Sequence, residues 1–331
     1  MSKKINLSLH IENWQLKKPF RITGHSYDSW DIVVVELSTD NIQARGEARG
    51  VRYLGENKES LIRQIEQAAH LIEGGVSRTQ LLDLMPPGGA RNAIDCALWD
   101  MEAKLAGQTI WELTNIEPTS VDTAFTIGIE ETPELMALSA TDASAYPILK
   151  IKLDGKQPVE RLKAIRRARP DARLIIDANQ GWTFSQLIEV MPALVELRVE
   201  MIEQPLPRNA DSELEGYNSP IPIYADESCQ HRGEFADAEK RYQGINIKLD
   251  KTGGLTEALL LAELAKKRGV EVMVGGMGGT SLTMAPSFVL AQLGDIADLD
   301  GPLLLKHDSG IKFDYNAEKM SLPHIFNLWC L

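Results

Sequence analysis

The chain has little that would staple it covalently, anchor it in a membrane or bind a soft metal. Only three of its 331 residues are cysteine, and Cys96, Cys229 and Cys330 stand far apart. No redox pair or zinc-ligand spacing results, and a reducing, cytoplasmic compartment is the simplest expectation. The 6 histidines form no cluster, which removes the commonest zinc arrangements. No run of about 18 apolar residues occurs, so a membrane span is not expected. The opening Met1-Ser2-Lys3-Lys4-Ile5 lacks the apolar stretch of a signal peptide. Positive charge is scarce as well: 35 Lys and Arg against 47 Asp and Glu leave a net charge of −12. Nucleic acid and anionic membrane are therefore poor candidate partners. A small-molecule partner remains, and a homo-oligomer stays possible.

What is present is length and alternation. A chain of 331 residues, 44% hydrophobic and 25% charged, fits a barrel of roughly 200–250 residues with a smaller domain beside it. Lys4–Trp14 and the β-branched Asp31–Leu37 read as strands, with Pro19–Trp30 between them as a loop. A second polar loop, Gly50–Asn57, follows Ala44–Ala48. Asn57–Glu73 and Ala90–Leu105 have helical spacing. The first segment, 1–118, thus reads as an α+β domain. From about Val121 the pattern alternates. Strands start near Ala124, Ile148, Leu174, Val199, Ile221, Ile245, Val272 and Ile296. Helical stretches lie between them, such as Pro158–Arg167, Ser185–Leu197, Leu255–Arg268 and Ser281–Leu293. Eight repeats predict a (β/α)8-type barrel over 119–305, with an irregular last repeat and no helix after Asp300. The tail, 306–331, is expected to return to the N-terminal domain.

The chemistry sits where these strands end. Lys152, Asp177, Glu203, Asp226 and Lys248 follow one another at intervals of 25, 26, 23 and 22 residues, about one strand–helix unit each. Taken singly, each acid could cap the helix after its strand. Together they deliver three hard oxygen donors to three neighbouring strand ends, which suits magnesium. Lys150 and Lys152 share a strand face. An exposed pair of lysines, with Ile148, Ile151 and Leu153 packing behind, is the plainer alternative. If both point inward, like-charge repulsion should lower their pKa values and let Lys152 act as a base. Lys248 is four strands on, which in an eight-stranded barrel is the opposite wall. Two amines facing one cation-held carboxylate suit removal of a proton from one face of a carbon and its return on the other. A cation there stabilises the charge that develops when the C–H bond ionises.

These motifs resemble the enolase superfamily, specifically its muconate-lactonizing subgroup, over nearly the whole chain. The resemblance rests on Lys150-Ile151-Lys152, Asp177-Ala178-Asn179, Glu203-Gln204-Pro205, Asp226-Glu227-Ser228 and Lys248. It implies that the N-terminal domain caps the barrel. It also implies catalysis by Lys152 and Lys248, and one Mg2+ on Asp177, Glu203 and Asp226. Asn179 and Asp250 are the expected supporting residues, and Lys150, Thr126, Arg52, Gly276 and Met277 the expected substrate contacts. Asp298-Leu299-Asp300, at the end of the eighth strand, is either a solvated strand end or a seat for a cation. In the second form it looks like the dipeptide epimerases, where such a pair holds an α-ammonium group. Ala297–Pro302, Arg91–Asp100 and Asn246–Gly254 are especially similar to L-Ala-D/L-Glu epimerases.

The implied reaction is a two-lysine 1,1-proton transfer at the α-carbon of the C-terminal residue of a dipeptide, L-Ala-D/L-Glu or a related one. Reuse of cell-wall peptides would be the corresponding role. One residue departs from the pattern: Tyr27 stands where glutamate-selective members carry arginine. Tyr27, Trp30 and Tyr53 could instead form an aromatic rim, so the side-chain preference stays open. N-acylamino-acid racemase and o-succinylbenzoate synthase use the same lysines and metal, but Asp298 and Asp300 argue against an uncharged acyl group. A barrel that only binds a metabolite would have little use for lysines on both walls.

Overall fold

The protein is seen in a computed structural model that describes residues 5–310, 312–322 and 329–330. The chain opens with a long antiparallel hairpin, β1 (Asn6–Ile22) and β2 (His25–Ser38), extended by β3 (Gln43–Ala48). The region 19–30 is therefore not a loop. A two-residue turn, Thr23-Gly24, joins Ile22 to His25, and Gly24 supplies the left-handed φ of 74° that so tight a turn requires. Pro19 falls in the stretch between Gln15 and Phe20 where the strand register shifts, so it interrupts no ladder position.

Four helices follow: α1 (Lys58–Glu73), α2 (Arg78–Leu84), α3 (Gly89–Ala106) and α4 (Ile110–Thr114). Asn57 caps α1. The short α2 and α4 escape periodicity because each spans under two turns. The sheet packs on α1 and α3 through Val33, Val35, Leu37, Leu61, Ile65 and Ile94. Strand β3 crosses α3 so closely that a Cβ on Gly46 would lie 2.0 Å from the Ala93 carbonyl.

The short β4 (Val121–Asp122) precedes the repeats. These are β5 (Phe125–Ile127), α5 (Pro133–Asp142), β6 (Ile148–Lys152), α6 (Pro158–Ala168), β7 (Arg173–Asp177), α7 (Phe184–Glu196), β8 (Val199–Glu203), β9 (Ile223–Ala225), α8 (Arg232–Ala238), β10 (Gly244–Lys248), α9 (Leu249–Thr252), α10 (Leu255–Arg268), β11 (Glu271–Gly275), α11 (Ser281–Ala291), β12 (Ile296–Asp298) and α12 (Gly301–Leu304). The last repeat thus keeps a four-residue helix after Asp300. Strands β5 to β12 form one parallel eight-stranded sheet in chain order. The Ala124 N–H to Ala297 carbonyl bond, 3.0 Å, brings its edges together.

Alternation splits each strand. Leu149, Ile151, Leu153, Ile176 and Ile202 face the surrounding helices. Ala124, Ile148, Ile175, Met201, Tyr224 and Met273 fill the barrel interior as one apolar cluster. Ile148 therefore lies on the lysine side of β6, not with Ile151 and Leu153, because it shares the even parity of Lys150 and Lys152. One step further along each strand the inward positions become Thr126, Lys150, Asp177, Glu203, Asn246 and Asp298, all buried. A polar layer thus rests on an apolar plug.

The N-terminal domain is tied to the C-terminal end of the barrel. Thr23, at the hairpin tip, donates to the carbonyls of Leu153 and Ala178, both at 3.1 Å. Arg91 on α3 donates to the carbonyls of Thr252 and Gly253, and Asp95 accepts from the hydroxyl and backbone N–H of Thr256. In the tail, β13 (Asp314–Asn316) and β14 (Lys319–Ser321) pair back onto β4. Trp329 then donates to the carbonyls of Arg45 and Cys96. Among the described residues no helix is long and apolar enough to cross a membrane.

Candidate active site

The parallel register sets the geometry. Lys152 pairs with Asp177 across β6 and β7, and Asp177 with Glu203 across β7 and β8. The carboxylates on those strands therefore stand level, one strand spacing of about 4.8 Å apart. Asp226 lies just past β9, two residues after Tyr224, the partner of Glu203. None of the acids caps a helix: Thr183 caps α7 and His231 caps α8. The trio is almost wholly buried, with exposures of 0%, 0% and 1%.

Lysines supply the balancing charge. Lys152 Nζ lies 2.5 Å from Asp177, and Lys248 Nζ lies 2.6 Å from Asp226. Lys150 Nζ bridges Glu203 at 2.5 Å, Asp298 at 2.7 Å and Asp177 at 3.2 Å. A fourth lysine, Lys251, is fully buried and donates to Oδ1 and the backbone carbonyl of Asp226 and to the carbonyls of Cys229 and Asn246.

These pairs decide the protonation behaviour. Burial pulls the pKa of Lys150 down, but the charges of Asp298, Glu203 and Asp177 outweigh it and hold the group well above its ordinary value. The expected lowering by Lys150–Lys152 repulsion is thus reversed for Lys150, because carboxylates lie closer to it than any cation can. Lys248 is likewise raised, with Asp226 and Glu203 overcoming burial. Burial pushes Asp177 up, yet Lys152, Lys150 and Lys248 hold it down at about 2. Glu203 is pushed up by burial and by the charge of Asp177.

A cavity of about 600 Å³ opens above this layer, between barrel and cap. Of the residues singled out in the sequence, Tyr27, Arg52, Thr126, Lys152, Asn179, Asp226, Lys248, Gly276, Met277, Asp298 and Asp300 line it. Lys150, Asp177 and Glu203 lie beneath its floor, and Asp250 lies behind it. Lys152 and Lys248 are on strands four apart in the barrel order and face the same space. Asp298 and Asp300 converge on Thr126, which donates its hydroxyl to Asp298 at 3.3 Å and its N–H to Asp300 at 2.6 Å. Burial, and then the charge of Asp298, raises the Asp300 carboxyl to about 7. Asp250 accepts the backbone N–H groups of Arg49 and Gly50 at 3.0 and 2.7 Å, fixing the loop at 49–57 over the cavity.

In this conformation no three Asp, Glu, His or Cys side chains among the described residues converge on one point, because each acid is turned onto a lysine. The donor chemistry still fits a hard divalent cation. Three carboxylates stand on neighbouring strand ends, and Glu203 Oε2 makes no hydrogen bond, with only the Lys150 ammonium beside it.

Five residues that line or brace this site have no role assigned from the sequence. They are Lys251, Asn246, Gln204, Glu227 and Arg49. Asn246 donates to Glu203 at 2.8 Å. Gln204 accepts from the N–H groups of Asp226 and Ser228, locking two strand ends together. The inward parity of Asn246 was readable in the sequence; the other four depend on how loops fold back.

This two-layer barrel with its cap agrees with the family comparisons. Residues 4–114 match the mandelate racemase / muconate lactonizing enzyme N-terminal domain, and residues 134–300 match the enolase C-terminal domain-like family. The chain belongs to the enolase superfamily. Within it, the chain is 43% identical over 300 residues to an L-Ala-D/L-Glu epimerase of Escherichia coli (strain K12), covering 90% of this chain and 93% of that one. It is 42% identical over 243 residues to an N-acetyl-D-glutamate racemase of Pseudoalteromonas sp, covering 73% and 77%. A solved enolase family member from Agrobacterium tumefaciens, with homology to dipeptide epimerases, superposes with a TM-score of 0.94 at 38% identity, covering 98% and 99%. That structure holds sodium and L-Ala-L-Glu. Like these superfamily relatives, the chain is an isomerase.

Proposed function

We propose that the protein is a magnesium-dependent dipeptide epimerase. It inverts the α-carbon of the C-terminal residue by a two-lysine 1,1-proton transfer, with L-Ala-D/L-Glu or a related dipeptide as substrate. The observation that carries this reading is the pair Lys152 and Lys248, facing one cavity from strands four apart. Asp177, Glu203 and Asp226 would hold one Mg2+, which when bound anchors the substrate carboxylate and draws off the charge that develops beside it.

The remaining chemistry belongs to the side chains. One lysine, as the neutral amine, takes the α-proton from its face of the substrate; for Lys248 that form would require Asp226 and Glu203, which raise its proton affinity, to be drawn onto the cation instead. The other, as the ammonium, returns a proton to the opposite face. With its roles exchanged the same pair runs the reaction backwards. Lys150, beneath the floor, bridges Asp177, Glu203 and Asp298 and offsets part of their negative charge. Asp298 and Asp300 take the α-ammonium group of the dipeptide, and the cap, residues 1–118, closes over the rest and excludes water.

α-Deuterium wash-in from D2O tests the proposal. Wild-type enzyme with Mg2+ should label the C-terminal residue of a dipeptide. Lys152→Ala and Lys248→Ala should each lose interconversion by at least about a thousandfold while keeping the fold. Full activity in either variant refutes the two-base scheme.

A second reading, N-acylamino-acid racemisation, gains weight from the Pseudoalteromonas relative and from Asp298, which already has Lys150 as a partner. Comparing a free dipeptide with its N-acetylated form separates the two. Faster turnover of the blocked form favours the second.

A further inference from the structure

Arg49 follows β3 and begins the loop over the cavity. Its backbone position is fixed by Asp250, and its guanidinium is held in a clamp. The guanidinium carbon lies 4.5 Å from the ring centre of Tyr27 and 5.1 Å from that of Trp30. Nη1 donates to the Met277 carbonyl. Arg52 stands beside it, 5.9 Å from the same Tyr27 ring. Both arginines line the cavity, and neither makes an ion pair among the described residues. Asp250 and Asp31 act on Arg49 through space, but neither pairs with its guanidinium. Asp250 is taken up by the backbone N–H groups of Arg49 and Gly50. Asp31 holds Lys58 at 2.8 Å, and Glu56 accepts the backbone N–H groups of Val51 and Gly89.

Two neighbouring cations, one of them half-buried, with no carboxylate paired to either among the described residues, leave room for an anion: burial and the charge of Arg52 work against the Arg49 cation, and Asp250 offsets this only from a distance. Arg49 stacks over one face of Tyr27 and one of Trp30, which puts a cation where a purely apolar rim would be. We infer that Arg49, braced by Tyr27 and Trp30 and assisted by Arg52, is the specificity-determining residue of this site. It binds a second carboxylate, carried on the side chain of the residue being inverted. The preferred substrate is then a derivative of a dicarboxylic amino acid. This rests on the epimerase reading for the placement of the first carboxylate, and it holds whether the amino group carries an aminoacyl or a simple acyl substituent. The arginine expected at the position of Tyr27 is replaced by one that reaches the cavity from the next loop, with Tyr27 as its support.

Titration calorimetry with L-Ala-L-Glu and L-Ala-L-Gln, a pair of equal shape differing by one charge, tests the inference. N-acetyl-glutamate and N-acetyl-glutamine are run beside them, and wash-in is measured with all four. Wild type should bind the glutamate form about 10- to 150-fold more tightly, the range for one charge-assisted interaction. In Arg49→Met the ratio should fall to about threefold or less, with KM rising more than kcat falls. Arg49→Lys should restore part of it, keeping the charge without the planar fork. Arg52→Met should lower the ratio less. An unchanged ratio in both methionine variants, or an equal loss on the charged and uncharged compounds, overturns the inference. The affinity ratio needs no turnover. A glutamate preference without wash-in from any compound supports the anion site and removes the epimerase reading, whereas wash-in without preference does the reverse.

Discussion

Lys251→Met removes one charge from the middle of the site while nearly keeping the side chain's volume. Lys251 is 1% exposed, and its ammonium meets Asp226 Oδ1 at 2.6 Å, the Asp226 carbonyl at 2.6 Å, the Asn246 carbonyl at 2.7 Å and the Cys229 carbonyl at 3.2 Å. Removing one partner of a buried, hydrogen-bonded ion pair costs about 3–5 kcal/mol; Lys248 still faces Asp226 here, but three buried carbonyls lose their donor along with the carboxylate. For 331 residues the unfolding entropy is about 0.7 kcal/mol per degree, so the melting midpoint should fall by about 4–7 °C. A second effect is local. With its outer oxygen released, Asp226 is free to turn fully onto Lys248, 2.6 Å away, and is lost as a cation ligand. Mg2+ should therefore raise the midpoint of wild type and leave that of Lys251→Met nearly unmoved. Differential scanning calorimetry with and without Mg2+ reads both effects. A variant as stable as wild type, or one with an undiminished Mg2+ response, would refute the assignment of Lys251 as the group that orients Asp226.

Three further outcomes are expected. Saturating Mg2+ at a hundred times its Kd should stabilise wild type by about 2.7 kcal/mol, or about 4 °C, and a chelator should remove the gain; no shift would speak against the acid trio as a cation site. The Asp300 carboxyl titrates at about 7, above the unfolded value, so its contribution to stability is complete below about pH 4 and is lost as pH rises through 7. Over the same range the ionised form grows, and affinity for a dipeptide's α-ammonium should rise about eightfold from pH 6 to 7.5; Asp300→Asn should flatten both profiles, and an unaltered profile would contradict the role. Gly278 has φ of 88°, and a Cβ there would lie 2.7 Å from the Trp30 ring. Gly278→Ala should cost about 1–3 kcal/mol and raise KM for glutamate-containing substrates through the displaced clamp; a change in stability alone would detach Trp30 from substrate selection.

Much of the site was readable because period and spacing are one-dimensional signals. Even intervals between charged residues located the strand ends, and two-residue parity put Lys150 and Lys152 on one face. The failures were of other kinds. The hairpin from Asn6 to Ser38 has the sequence pattern of two strands and a loop, since polar residues and Pro19 mimic a linker when pairing partners are unknown. The neighbour in sequence implies a lowered lysine proton affinity, while three carboxylates from other strands decide it for Lys150. Nothing in its own segment marks out Arg49.

The order of the charged residues along the chain therefore determined the barrel, the sign of each group and the class of chemistry. Hydrophobic periodicity and covalent sequence fix these locally, strand by strand. Which charges touch, which lysine faces the cavity and which lies under its floor, and which arginine stands unpaired above it were decided only by tertiary structure. Those properties depend on distances across the barrel and on where the cap's loops come to rest, and burial at those places sets the energies.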